Sequence, residues 1–376
     1  MVSKLLNAPV VVVEILLGVI AGYMGFIYEN PYLILLAKFG FVYLMFLAGI
    51  EINFKLIKLI KAALAWNVIF YFISLYTISW FMCWVFDLGI TYFIAFPIFS
   101  LGMLMMLIKE HGKEEPWLNL ALSIGIVGEV VSILALTLFS GWIEYGFETE
   151  FFISILTIIA VILGIVFSLR FFYLLFWWYP EFKKFIIPDS YTDRFDQDIR
   201  VTLSMLMLMV SIMLVVKIDV VLGAFTAGLF LKMFFNHNRE LLGKIESFGF
   251  GFFVPIFFIY TGSTVKLEII DFNILKHALF IIIVMVTIRL ISSYLCFYKY
   301  LKFKQTTLFA LSDSMPLTFM VAISMLAYKH GVIAQEEYLS FIIASMIDGL
   351  LLMVLIRKLY QWFDLKNTQC VKKDDN

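Results

Sequence analysis

FPIFSLGMLMMLIKEHG (96–112) and MPLTFMVAISMLAYKHG (315–331) decide the reading of this chain. They lie 219 positions apart and align without a gap. Pro97 pairs with Pro316, Met106 with Met325, Leu107 with Leu326, His111 with His330 and Gly112 with Gly331. At the same offset, Glu129 pairs with Asp348. Each copy is an apolar segment interrupted by proline, a short polar loop with a His-Gly pair, and an apolar segment holding one acid. An odd number of membrane spans between two copies turns one upside down relative to the other. Inverted repeats with broken helices and intramembrane charges mark secondary transporters.

The surrounding composition agrees. The chain is 63% hydrophobic and 15% charged, with a mean hydropathy of +0.98. Soluble domains are roughly half apolar, so this chain is expected to be dissolved in lipid. The formal net charge is +0, which gives no basic surface for nucleic acid. Cys83, Cys296 and Cys370 fit neither a metal site nor a disulfide framework. No cofactor is expected. The opening residues carry Glu14 within an apolar run and no small-residue cleavage site, so they are expected to stay as a first span.

A span needs roughly 20 apolar residues. Twelve are expected, at 9–27, 32–51, 62–86, 91–108, 118–140, 152–178, 198–216, 219–235, 247–264, 275–298, 305–328 and 337–360. The fold class is therefore an all-α polytopic membrane protein with an inverted repeat and two broken, crossing helices. Lys and Arg collect in alternate loops: Lys55, Lys58, Lys61, Lys109, Lys113, Lys183, Lys184, Arg194, Arg200, Lys232, Arg239, Lys244, Lys299, Lys302 and Lys304. The opposite loops hold little beyond Lys217, Lys266, Lys276 and Lys329. By the positive-inside rule both termini are cytoplasmic. The polar stretch YPEFKKFIIPDSYTDRFDQDIR (179–200) reads as the cytoplasmic connector between the halves. Beyond about residue 362 only a short polar tail is expected.

A charge near the bilayer centre costs at least a few kcal/mol and is rarely decorative. Glu129, Arg289 and Asp348 lie near the middle of the fifth, tenth and twelfth spans, and Asp313 precedes Pro316 in the eleventh. Glu14, Lys38 and Glu51 lie nearer span ends, where snorkelling is cheap. Proline lacks the backbone donor and clashes with the preceding turn. Around Pro97 the break is accompanied by Ser100 and Gly102, and around Pro316 by Ser312, Asp313, Ser314 and Thr318. Carbonyls and hydroxyls freed there could coordinate a cation. Glu129 beside Arg289 can hold a proton or a metal cation but not both, which is the competition an antiporter needs. Asp348 reads as structural. His111 and His330 read as turn residues, with pH sensing as the alternative.

Several segments resemble the monovalent cation:proton antiporters of the second group, the bacterial sodium/proton and potassium/proton exchangers. They are FLAGIEINFKLI (46–57), FSLGMLMMLIKEHG (99–112), ALSIGIVGEVVSILAL (121–136), VLGAFTAGLFLK (221–232), FFVPIFFIYTGSTVKL (252–267) and VTIRLISSYL (286–295). The resemblance covers nearly the whole chain. It implies that Glu129 stands at the ion-binding acid and Arg289 at its basic partner. Gly128 stands where relatives usually carry Asp, Asn or Gln, and Met315–Pro316 where many carry Gly-Glu. An extra N-terminal span common in the family is not expected here. These departures bear on ion identity and stoichiometry more than on fold.

The resemblance further implies a dimerisation part (1–61 and 198–270), a transporting core (62–140 and 271–363), a linker helix with its connector (141–197) and a cytoplasmic tail (364–376). A homodimer in a bacterial inner membrane, embedded in lipid, follows. The expected activity is electroneutral exchange of sodium or potassium for protons, not enzyme chemistry. With Gly128 in place of an acid, and an arginine that keeps its proton, Glu129 is the one obvious carboxylate for exchange. The ion and proton site is expected to draw on Glu129, Arg289, Asp313, Ser100, Gly128 and Asp348, with Glu129 as the ligand to the monovalent cation. Pro97, Gly102, Ser314 and Pro316 mark the breaks. Two other readings stay open: a sodium-coupled symporter of a small organic anion on the same fold, and a non-transporting membrane sensor.

Overall fold

The computed structural model describes residues 10–27, 30–51, 62–101, 103–104, 107–108, 115–146, 148–179, 197–216, 220–235, 239–265 and 271–363. Among these the regular structure is all helix, as lipid requires of a chain that must satisfy its backbone internally. The helices are α1 (Val10–Tyr23), α2 (Pro31–Glu51), α3 (Ala62–Val85), α4 (Ile90–Ala95), α5 (Pro116–Tyr145), α6 (Thr149–Trp178) and α7 (Gln197–Val216). They continue with α8 (Val220–Phe235), α9 (Arg239–Phe248), α10 (Val254–Ser263), α11 (Phe272–Asp313), α12 (Leu317–Lys329) and α13 (Gln335–Trp362).

Seven helical stretches among the described residues are long and apolar enough to cross a membrane, and α1 and α8 are shorter apolar helices. The stretch Phe272–Asp313 is two helices that meet at a kink at Lys302, whose φ is 60°. The polar connector over 180–196 and the tail over 364–376 lie outside the described residues.

The chain forms two compact units. The first comprises Met1–Val13, Phe54–Ser132 and Lys266–Asn376; the second comprises Glu14–Asn53 and Ile133–Val265. Helices α1 and α5 each contribute residues to both units.

In the first unit α11 packs on α13 and α3, α12 packs on α13 and α4, and α3 packs on α4. In the second unit α2 lies against α8 and α10, and α7 against α8. Small residues set those contacts, as expected where lipid removes the hydrophobic drive between helices. A methyl on Gly228 would meet the Phe46 carbonyl and stand 2.9 Å from the Gly49 Cα. A methyl on Gly22 would stand 2.8 Å from the Ser263 carbonyl oxygen. Between α9 and α10 the turn Gly249–Phe253 is a π-helix, just before Pro255. Such a wide turn accommodates the ring and the missing donor of an in-helix proline.

Candidate functional site

Both expected breaks lie in the first unit. Helix α4 stops at Ala95; residues 96–100 are not helical, and helix resumes at Leu101. The last ordinary bond is from the Phe96 N–H to the Tyr92 carbonyl, 3.0 Å. Gly102 and the pair His111–Gly112 lie outside the described residues. Helix α11 stops at Asp313, Ser314–Pro316 is not helical, and α12 starts at Leu317. Phe96, Ile98, Phe99, Ser314 and Met315 are all buried, so carbonyls freed at the breaks need partners from the protein.

Arg289 supplies them. It is fully buried in α11. Its Nη1 donates to the Phe96 carbonyl and its Nη2 to the Ile98 carbonyl. Its Nε donates to the Asp313 carbonyl at 2.8 Å. One planar fork therefore serves carbonyls from both breaks, a task suited to guanidinium and not to a point-charge ammonium. The breaks also meet directly, with Ser100 Oγ 2.7 Å from Thr318 Oγ1. Unwound backbone beside a guanidinium offers acceptors already fixed in place, and these three carbonyls take that role for Arg289.

Glu129 is buried, 3% exposed, about halfway along α5. The residues around it hold that helix to the first break. The Phe99 N–H donates to Ser132 Oγ at 2.8 Å, and Ser132 Oγ donates to the Gly128 carbonyl at 2.8 Å. Gly128 and Ser132 are one turn apart, so they share a face. Glu129 stands one residue on from Gly128 and three before Ser132, on the flank of that face. The ring of Phe99 covers Gly128: a Cβ there would lie 2.6 Å and 2.7 Å from its two Cδ atoms. The Arg289 Cζ stands 5.4 Å from the centroid of that same ring.

Asp313 is buried at the end of α11 and accepts from the Tyr71 hydroxyl at Oδ2, 3.3 Å. Its Oδ1 has no hydrogen-bond partner. Tyr71 is enclosed by Phe72, Phe99, Phe297 and Phe309. Asp348 is buried in α13. The Ser312 and Ser314 hydroxyls donate back to the Phe309 and Ala310 carbonyls at 2.7 Å. They tie off the end of α11. The structure thus gathers Arg289, Asp313, Ser100, Pro97, Ser314 and Pro316 at the breaks. Gly128 and Glu129 join through Phe99.

Tyr71, Phe99 and Ser132 carry no individual mark in the sequence. Ser132 is four residues after Gly128 and could have been found by asking which hydroxyl shares its face. Away from the breaks, Tyr92 donates to Glu337 Oε1 at 2.9 Å and stands 3.2 Å from His277 Nε2. His330 caps α12 and precedes Gly331, whose φ is 72°, so it is a turn residue.

Chemically, the site offers a buried carboxylate on an apolar helix, beside a break whose carbonyls are held by a fixed cation. Such a carboxylate can exchange one bound proton for one monovalent cation.

A family model described as sodium/hydrogen exchanger, transmembrane, matches residues 1–358. The chain is 26% identical to YjbQ of Bacillus subtilis over 384 residues, which is 95% of this chain and 60% of that protein. It is 26% identical to the Na(+)/H(+) antiporter NhaS4 of Synechocystis over 359 residues, 88% of this chain and 83% of that one. The structure of the sodium proton antiporter MjNhaP1 from Methanocaldococcus jannaschii superposes with a TM-score of 0.69. That match has 14% identity and covers 96% of this chain and 92% of the other, which shows a shared fold.

Proposed function

The chain belongs to the transmembrane sodium/hydrogen exchanger family, a family of transporters and not of enzymes, and we propose that it exchanges a monovalent cation, sodium or potassium, for protons by alternating access. The observation that carries this is Glu129, a buried carboxylate in the middle of an apolar helix whose neighbours are fastened to a helix break. A charge held at such depth is expensive unless it is used. The exchange is one for one. The carboxylate releases one proton as it takes one cation, and Arg289 keeps its own proton throughout.

Arg289, Asp313, Ser100, Gly128 and Asp348 shape the site around Glu129. The helices over 62–140 and 271–363 form the moving core, and those over 1–61 and 198–270 hold a homodimer. The protein is multi-pass. Placement in a bacterial inner membrane with both termini cytoplasmic is supported by the Lys and Arg bias of the loops. Sodium or potassium and protons are its cargo, and no cofactor takes part.

The test is a purified, reconstituted protein in vesicles with a pH gradient and a lumenal pH dye. Sodium or potassium chloride should collapse the gradient, and choline chloride should not. Vesicles that hold folded protein yet respond to none of these salts would refute the proposal.

A further inference from the structure

The side chain that is absent at position 128 has been replaced in space by one from another element. An ideal Cβ on Gly128 would meet the Phe99 ring at its root, the Cγ and both Cδ atoms. A ring edge can swing aside by a turn about χ2, but displacing the Cγ takes a change of χ1 or a shift of the backbone. That backbone is fixed, because the Phe99 N–H donates to Ser132 Oγ, itself bonded to the Gly128 carbonyl. The ring is hemmed in on other sides by Phe72 at 5.4 Å, Tyr71 at 6.4 Å and the Arg289 guanidinium at 5.4 Å. It is 2% exposed. Break, glycine and ring are therefore one packed object beside Glu129.

We infer that Phe99 and Gly128 together are the specificity-determining element of the exchange site. The ring takes the place of a second oxygen ligand next to Glu129 and limits the site to one carboxylate. The inference rests on exchange at Glu129, as proposed above. The consequence is one of charge balance. One carboxylate gives up one proton and takes one monovalent cation, so no net charge crosses. Two adjacent carboxylates that gave up two protons for one cation would move one net charge per cycle. The Phe99 ring enforces the first case by leaving a side chain at 128 no room.

The pair makes an unusual genetic demand: an acid at 128 is tolerated only when the ring is removed. Gly128→Asp alone should cut cation uptake into proteoliposomes about tenfold or more, as overpacking of a fixed site does. Gly128→Asp with Phe99→Ala should recover about tenfold over that single variant. Its uptake should then rise with an imposed membrane potential, while wild-type uptake stays insensitive to it. Full activity of Gly128→Asp alone overturns the inference. So does voltage-dependent uptake by the wild type, or a folded double variant that stays inactive or transports without voltage dependence. If Gly128→Asp does not fold, the milder pair Gly128→Ala and Phe99→Ala is read by thermal unfolding. A double loss smaller than the two single losses combined supports the shared space, and additive losses refute it. Glu129→Gln, run alongside, separates the two levels. Retained exchange there removes the underlying site, whereas its loss with no coupling at 99 and 128 removes only this inference.

Discussion

Ser100 Oγ and Thr318 Oγ1 lie 2.7 Å apart, so a hydroxyl pair joins the two interrupted helices directly at their breaks. Each hydroxyl is the other's partner, and both residues are half-buried. Ser100→Ala and Thr318→Val should each lower stability by about 1 kcal/mol, with the double variant losing little more than either. Thermal unfolding in detergent, run as a double-mutant cycle, checks this. Fully additive losses would mean that the pair is not an interaction.

Arg289 holds the carbonyls of Phe96, Ile98 and Asp313. Removing it strands three buried acceptors, each worth about 1–3 kcal/mol when orphaned. Arg289→Ala should therefore lower the unfolding temperature severely as well as stop exchange. Arg289→Lys should recover only part of it, because one ammonium cannot reach three carbonyls in different directions. A lysine variant as stable as the wild type would show that charge alone matters here.

In the second unit, Gly228 and Gly49 let α8 and α2 touch backbone to backbone. Gly228→Ala should cost about 1–3 kcal/mol, since its methyl must displace main chain and not a flexible side chain. A control at Gly243, where an added methyl meets nothing within 4 Å, should be close to neutral. Comparable unfolding temperatures for the two variants would count against the packing described.

The breaks were legible because proline's missing donor is a local fact and because the same break recurs 219 positions on. Arg289 and Glu129 were legible as charges in apolar runs. Their partners were not. The acceptors of Arg289 are backbone carbonyls, which every residue carries and no sequence marks. Tyr71 is one of 18 tyrosines, on a helix that is aromatic on several sides. Gly128 could be read as a departure from relatives, but that Phe99 fills its place is a fact of three-dimensional packing.

Asp313 tests the stoichiometry from another side. Its Oδ2 accepts from Tyr71, and an amide oxygen can accept that bond equally well. Asp313→Asn should keep exchange that is insensitive to an imposed membrane potential, as in the wild type. Wild-type uptake that climbs with voltage, and loses that dependence in Asp313→Asn, would make Asp313 a second proton carrier.

The central claim is that Glu129 carries both the proton and the cation, and paired fluxes test it most directly. Proteoliposomes are loaded with a pH dye, and radioactive sodium (or a potassium analogue) uptake is followed with proton efflux in the same sample. The wild type should show one proton leaving for each cation entering, and folded Glu129→Gln should show neither flux. Coupled fluxes at the wild-type rate in Glu129→Gln would contradict the account.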